Sequence, residues 1–265
     1  MAQLLLRGEC LGDFDGVLFD KDGTLSHSEP RLIEQGHSRI AAACDCWISS
    51  TEESATSERV EQLRTLMQQA YGLSKESVSP DGLLAVASRQ HNLVATATVF
   101  TLLGLSWPRA LLMADRSFEK AAQWRQAQST TADHNPSPLL PATKPFLDQL
   151  NAAGVTCAVI SNDTHQGIKD FLRGHQLEGH MAGIWSADDR PNKPDPEAVH
   201  QLCDNLGLQP SRCALIGDAD SDLLMARQAG IGLSLGYVAG WRRSPDLTEH
   251  EHLISHWDEL QVVDR

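Results

Sequence analysis

From Lys144 onward the chain alternates short apolar runs with amphipathic stretches, and no other feature restricts its fold so much. Lys144 to Ala153 carries Phe146, Leu147 and Leu150 at helical spacing and stops at Gly154. Val155 to Ile160 has the length and apolar content of a buried strand. Ile168, Phe171 and Leu172 mark a helix ending near Gly174, and Met181 to Trp185 is a weaker strand. Pro196 to Leu206 is a helix closed by Gly207, Cys213 to Ile216 a strand, Leu223 to Ala229 a helix before Gly230, and Ile231 to Leu235 a last strand. Parallel strands need crossover connections, so this rhythm predicts an α/β fold with a doubly wound parallel sheet.

An earlier apolar run, Val17-Leu18-Phe19, belongs to the same sheet, and what separates it from Lys144 reads differently. From Ser26 to Ala127 the chain is rich in Ala, Gln and Ser and has helical periodicity. Val60, Leu63, Met67 and Ala70 define a helix ended at Tyr71-Gly72, with a capping box at Ser50-Thr51-Glu52-Glu53. Leu83 to Phe100 suggests a helical pair, and Trp107-Pro108 opens a helix running to about Gln128. Ser129 to Pro141 reads as a linker. The expected organisation is therefore a core domain from 1–26 and 141–265, with residues 27–140 inserted as an all-helical domain. Leu4-Leu5-Leu6 is expected as an extra edge strand.

A length of 265 residues suits one core with a large insertion, and 41% hydrophobic residues can fill it. A net charge of −13 argues against nucleic-acid and anionic-membrane partners, which need basic surface. The six cysteines are scattered, and the lone Cys44-Asp45-Cys46 lacks a second pair, so a reducing cytoplasm is expected. No signal peptide is indicated before Arg7, and no apolar run is long enough to span a membrane.

The polar residues that follow the strands carry the chemistry. Asp20 and Asp22 end the first strand at i and i+2, so both project from its C-terminal edge, where open α/β sheets place ligands. Gly23 lets the backbone turn, and Lys21 and Thr24 add a charge and a hydroxyl. Asp-Gly is also a common surface turn. Ser161-Asn162-Asp163 follows the next strand and suits either an anion site or an ordinary helix N-cap. Lys193, between Asn192 and Pro194, sits on restricted backbone and could neutralise a phosphate or pair with a carboxylate; a charged loop is the plainer alternative. Asp218, Asp220 and Asp222 crowd negative charge after the strand ending at Ile216. A calcium loop would need Gly and Glu where Leu223 and Ala229 stand. Two strand-end aspartates on one edge instead suit Mg²⁺, which takes carboxylates, waters and a substrate phosphate.

Acid pair, hydroxyl, lysine and acid pair, in this order, resemble the four motifs of the haloacid dehalogenase-like phosphatase superfamily: Asp20-Lys21-Asp22-Gly23-Thr24, Ser161, Lys193 and Gly217-Asp218-x-x-x-Asp222. The resemblance covers residues of roughly 14–26 and 141–240 and implies that the insertion is a helical cap. It implies Asp20 as the nucleophile that forms an aspartyl-phosphate and stays ionised, and Asp22 as the general acid/base that carries the proton. It implies Mg²⁺ held by Asp20, the Asp22 carbonyl and Asp218, with Asp222 assisting. Thr24, Ser161, Asn162 and Lys193 would hold the loop and the phosphate. Asp22 disfavours the dehalogenase branch, which lacks it. The Phe19 to Leu25 form and Lys193-Pro194-x-Pro196 look most like phosphoglycolate phosphatases, although His27-Ser28 departs from their usual Asp-Ser pair. The expected activity is hydrolysis of a small phosphorylated metabolite, possible substrates including 2-phosphoglycolate, by a monomer or homodimer. A phosphomutase similar to β-phosphoglucomutase is the alternative, and a non-catalytic phosphate-binding protein a third. Lys75, Arg89 and His91 are candidate anion readers in the insertion, each equally a solvated helix face, and His27 adjoins the first motif.

Overall fold

The computed structural model describes residues 2–50, 56–128 and 136–264. Two compact units make up the chain, Met1–Ser28 with Pro136–Arg265 and Glu29–Asn135. The first opens with three strands: β1 (Ala2–Leu6), β2 (Glu9–Phe14) and β3 (Gly16–Phe19). The second holds α1 (Glu29–Ser50), α2 (Ser57–Tyr71), the single turn α3 (Leu83–Val86), α4 (Arg89–Leu102) and α5 (Trp107–Gln128). The first unit resumes with α6 (Thr143–Ala152), β4 (Thr156–Ile160), α7 (His165–Gly174), β5 (Gly183–Trp185), α8 (Pro196–Leu206), β6 (Cys213–Gly217), α9 (Asp220–Gln228), β7 (Leu233–Tyr237), β8 (His252–Ile254) and β9 (Leu260–Asp264).

The main sheet has six parallel strands in the order β5-β4-β3-β6-β7-β8. β3 lies at its middle, every residue buried, as expected for a strand covered on both faces. Phe19 registers with Val159 on one side and Ile216 on the other, so β3, β4 and β6 end level. Below that edge Trp257 stacks on Phe146 and Tyr237, with ring centroids 5.1 and 4.9 Å apart, and meets Phe19 edge-on at 5.8 Å. Each such pair contributes roughly 0.5–1.5 kcal/mol beyond burial, which anchors the end of β3.

Leu4-Leu5-Leu6 is not an edge strand of this sheet. β1 is the middle strand of a separate antiparallel sheet, β2-β1-β9. Its Ala2, Leu4 and Leu6 alternate inward, the period of a half-buried strand. The strand expected to be last starts later, at Leu233, because Gly230 to Gly232 turn the chain after α9, and it is not the last, since β8 extends the sheet beyond it and β9 follows.

In the helical unit Leu63 and Met67 are fully buried, and Trp47 stacks on Phe100 at 6.0 Å. Gly72 ends α2 in the left-handed conformation, φ 63°, as the sequence suggests. The expected capping box does not start α2: Ser50 closes α1, Thr51 to Glu53 lie outside the described residues, and the Thr56 side chain accepts from the Arg59 N–H instead. The linker expectation splits. Residues 129–135 lie outside the described residues, whereas Pro138 and Leu140 are tied to the first unit by His27 N–H···O=C Pro138 at 2.8 Å and Leu140 N–H···O=C Leu25 at 3.0 Å. Among the described residues no helix is long and apolar enough to cross a membrane.

Candidate active site

The level ends of β3, β4 and β6 place their following residues together. The Asp20 N–H continues the ladder by donating to the Ile216 carbonyl at 2.9 Å, which draws Asp20 alongside the end of β6. The Leu25 and Ser26 N–H groups then return to the Lys21 carbonyl, both at 2.9 Å, closing a tight loop. Gly23 takes φ +85° there. An added Cβ on Gly23 would stand 2.4 Å from the Asp218 carboxylate, so only glycine lets the loop lie this close. Gly217 acts similarly: a Cβ there would meet the Asp222 carboxylate at 2.6 Å.

Asp20, Asp218 and Asp222 are all buried, and one ligand oxygen from each lies within 4.8 Å of the others. Lys193 joins two of them, its ammonium 2.7 Å from Asp20 Oδ1 and 2.7 Å from Asp222 Oδ1, and donates to the Ile160 carbonyl at 3.2 Å. The loop before α8 is thus spent on holding one cation inside the site. The cluster thus holds three carboxylates and one ammonium, which pairs two of them, so it retains negative charge. Burial and the repulsion of Asp20 and Asp222 push the Asp218 carboxyl well above its ordinary range. Burial pushes Asp20 up to about 6 against the pull of Lys193, with Asp222 adding to the rise. Lys193 is itself raised, because the two carboxylates outweigh its desolvation. An all-oxygen, negatively charged donor set of this kind fits a hard divalent cation such as Mg²⁺.

Asp22 stands apart from this cluster. Its carboxylate accepts from Lys21 at 2.5 Å, from Ser26 at 3.3 Å and, more closely, from Ser28. Burial alone would raise its carboxyl, yet Lys21 and the two hydroxyls outweigh that and hold it below the ordinary range. The metal-free site therefore treats the two carboxyls oppositely. Without a divalent cation, Asp20 is the carboxyl inclined to take a proton and Asp22 the one inclined to lose it. The reason is local: Asp20 shares Lys193 with Asp222 in a cluster of three carboxylates, while Asp22 meets Lys21 and two hydroxyls, although Lys21 also reaches Asp163.

Thr24 is also used differently from the expected phosphate contact, since its O–H donates to Asp218 Oδ1 at 2.8 Å. Ser161 is buried and its hydroxyl accepts from the Asp163 N–H at 3.2 Å. It is not the N-cap of α7; Thr164 fills that position and accepts from Gly167. Asn162 follows at the same strand end, beside Asp163, whose carboxylate lies 3.2 Å from Lys21. His27 reaches the Gly240 carbonyl at 3.4 Å. Lys75, Arg89 and His91 are exposed on the helical unit, Arg89 lying over the Phe118 ring that the buried Arg39 also covers.

Sequence reasoning missed Ser26, Ser28 and Trp241. Trp241 is buried and its indole N–H donates to Asp218 Oδ2 at 2.6 Å. Its signal was a Gly-Trp pair just beyond the last strand of the rhythm, in a chain with only 5% aromatic residues.

The raised carboxyls give the metal-free protein a pH signature. A folded-state value above the unfolded one means the native state binds the extra proton, so stability falls as pH rises from about 4 through about 6. Urea titrations in EDTA are expected to give a lower midpoint at pH 7 than at pH 5, with Mg²⁺ narrowing the difference. A midpoint that rises steadily over that interval contradicts the crowding.

Residues 14–230 match the family model of the haloacid dehalogenase-like hydrolases. The chain belongs to that family. Among its relatives is a phosphoglycolate phosphatase of Pectobacterium atrosepticum, 28% identical over 229 residues, which are 85% of this chain and 82% of the relative. A phosphoglycolate phosphatase of Vibrio vulnificus is 32% identical over 111 residues, 40% of this chain, and the match spans only 49% of that relative's length. The fold is shared with a solved structure described as a predicted phosphoglycolate phosphatase from Haemophilus somnus, with TM-score 0.59, 18% identity, and 92% of this chain and 95% of that one covered.

Proposed function

We propose that this chain is a Mg²⁺-dependent phosphomonoesterase acting on a small phosphorylated metabolite, with 2-phosphoglycolate the first ester to test. The observation that carries the reading is the buried cluster of Asp20, Asp218 and Asp222 around Lys193 at one sheet edge. The relatives named phosphoglycolate phosphatase support the choice of ester.

Asp20, Asp218 and Asp222 would hold the cation. When bound, Mg²⁺ offsets the repulsion between an anionic nucleophile and an anionic phosphate. Lys193 keeps the Asp20 carboxylate oriented through Oδ1. Asp20 attacks phosphorus in line as the ester P–O bond breaks, and the departing electron pair goes to the alcohol oxygen. Asp22 gives that oxygen a proton, then takes one from the water that cleaves the aspartyl-phosphate. Before the first transfer Asp22 must acquire its proton, so its contact with Lys21 has to be exchanged for one with the leaving group. Ser161 and Asn162, at the end of β4, supply polar contacts to phosphate oxygens.

The test is phosphate release from 2-phosphoglycolate, p-nitrophenyl phosphate, a sugar phosphate and a nucleotide, each with Mg²⁺ and with EDTA. Release that requires Mg²⁺ is expected. No metal-dependent release from any ester overturns the reading, and isomerised sugar phosphate without free phosphate replaces it with a mutase.

A further inference from the structure

We propose that Trp241 is a positioning residue for Asp218: its indole N–H fixes the direction of that carboxylate and thereby sets the affinity of the site for a divalent cation. The inference rests on the metal-dependent reading above.

The three carboxylates of the cluster are held in two different ways. Asp20 and Asp222 are each pinned by the ammonium of Lys193. Among the described residues Asp218 meets only neutral donors, Thr24 on Oδ1 at 2.8 Å and Trp241 on Oδ2 at 2.6 Å. Neutral donors orient a carboxylate without cancelling its charge, and each oxygen keeps a lone pair for a cation. Asp218 is therefore the member of the cluster that the ammonium does not pair. An indole N–H suits this task. It donates only, does not titrate and cannot ligate the ion in place of the carboxylate.

The backbone is fitted around this contact. A Cβ on Gly23 would lie 2.3 Å from Trp241 Nε1, and a Cβ on Gly240 would lie 1.7 Å from the Gly23 carbonyl oxygen. Both positions hold glycine, and the loop after β7 thereby presses the indole against the first motif and the end of β6 together. Trp241 is 5% exposed, so its N–H has no bulk water as an alternative partner. Were it mere packing, the ring and not the N–H would matter, and Trp241→Phe separates the two.

The experiment is Mg²⁺ titration of wild type and Trp241→Phe by calorimetry, with the indole ¹⁵N–¹H signals of the six tryptophans followed in parallel. Loss of an outer partner of a metal ligand typically costs 10–100-fold in affinity, so Kd for Mg²⁺ is expected to rise by roughly that factor. The deficit in phosphate release should narrow as Mg²⁺ is raised. In the wild type the Trp241 indole signal should move during the titration. A folded Trp241→Phe protein with wild-type Mg²⁺ affinity overturns the inference. If that variant does not fold, the wild type decides, because a Trp241 signal unmoved at saturating Mg²⁺ overturns it equally. Mg²⁺ binding that depends on Trp241 in a protein releasing no phosphate from any ester upholds this inference and overturns the phosphatase reading.

Discussion

Asp20→Asn is expected to remove phosphate release, by on the order of 10⁴-fold or more, while making the metal-free protein more stable. In the proposed mechanism the first effect is the loss of the attacking oxygen: a nucleophile acts as one unit with its supporting groups, and its removal costs most of the rate they jointly provide. The second follows from the crowding. Asp20 shares a buried site with Asp218 and Asp222, and burial pushes its carboxyl up to about 6. At pH 7 the ionised form is the strained one, by up to about 3 kcal/mol at 1.36 kcal/mol per unit. Asparagine keeps an oxygen for Lys193 and discards the charge. Phosphate release and a urea midpoint in EDTA test the pair together. Release at the wild-type level removes Asp20 from the mechanism. Lost release with lowered stability shows instead that the charge was satisfied in the native state. The opposed signs are what a site built for chemistry predicts, since groups placed for reaction are poorly placed for stability.

The edge that carries the candidate site was legible because it is made of short-range patterns. Each strand of the rhythm is an apolar run, and the residue after it has only one place to go once the strands are parallel and in register. Asp20, Ser161 and Asp218 could therefore be assigned to one edge without any distance. Lys193 was legible because the residues beside it restrict the chain. What was not legible depends on contacts between segments far apart in sequence. Thr24 has one donor hydrogen, and nothing local says that it goes to Asp218, 194 residues away. The different surroundings of Asp20 and Asp22 were hidden for a similar reason. Read locally the two look alike, but the fold sets Asp22 among Lys21, Ser26 and Ser28 and makes Asp20 share its lysine with Asp222. The small sheet β2-β1-β9 escaped because its outer strand, β9, lies at the far end of the chain, so Leu4-Leu5-Leu6 had no visible partner.

Lys193→Met is expected to destabilise the protein by about 3–5 kcal/mol at pH 7 in EDTA, the usual effect of removing one partner from buried ion pairs. Lys193 is 4% exposed and is the cation that faces both Asp20 and Asp222 at 2.7 Å. Methionine fills similar volume, so the loss measures charge and not a cavity. It also leaves the Ile160 carbonyl without the ammonium that met it at 3.2 Å. The pH dependence carries the diagnosis. Removing the ammonium raises the Asp20 carboxyl further, because Lys193 is what holds it down, and a raised carboxyl weakens the fold only where it is ionised. The deficit should therefore be largest at pH 7 and should shrink at pH 5. Mg²⁺ should recover more stability in the variant than in the wild type, because it meets three carboxylates and no competing ammonium. Urea titrations at both pH values, with and without Mg²⁺, give all four comparisons. A deficit that is the same at pH 5 and 7 assigns Lys193 to packing, and wild-type stability at pH 7 without Mg²⁺ removes it as the counter-charge. Phosphate release should fall even where Mg²⁺ restores the fold, since a cation shared among three carboxylates does not hold Asp20 Oδ1 as the ammonium does.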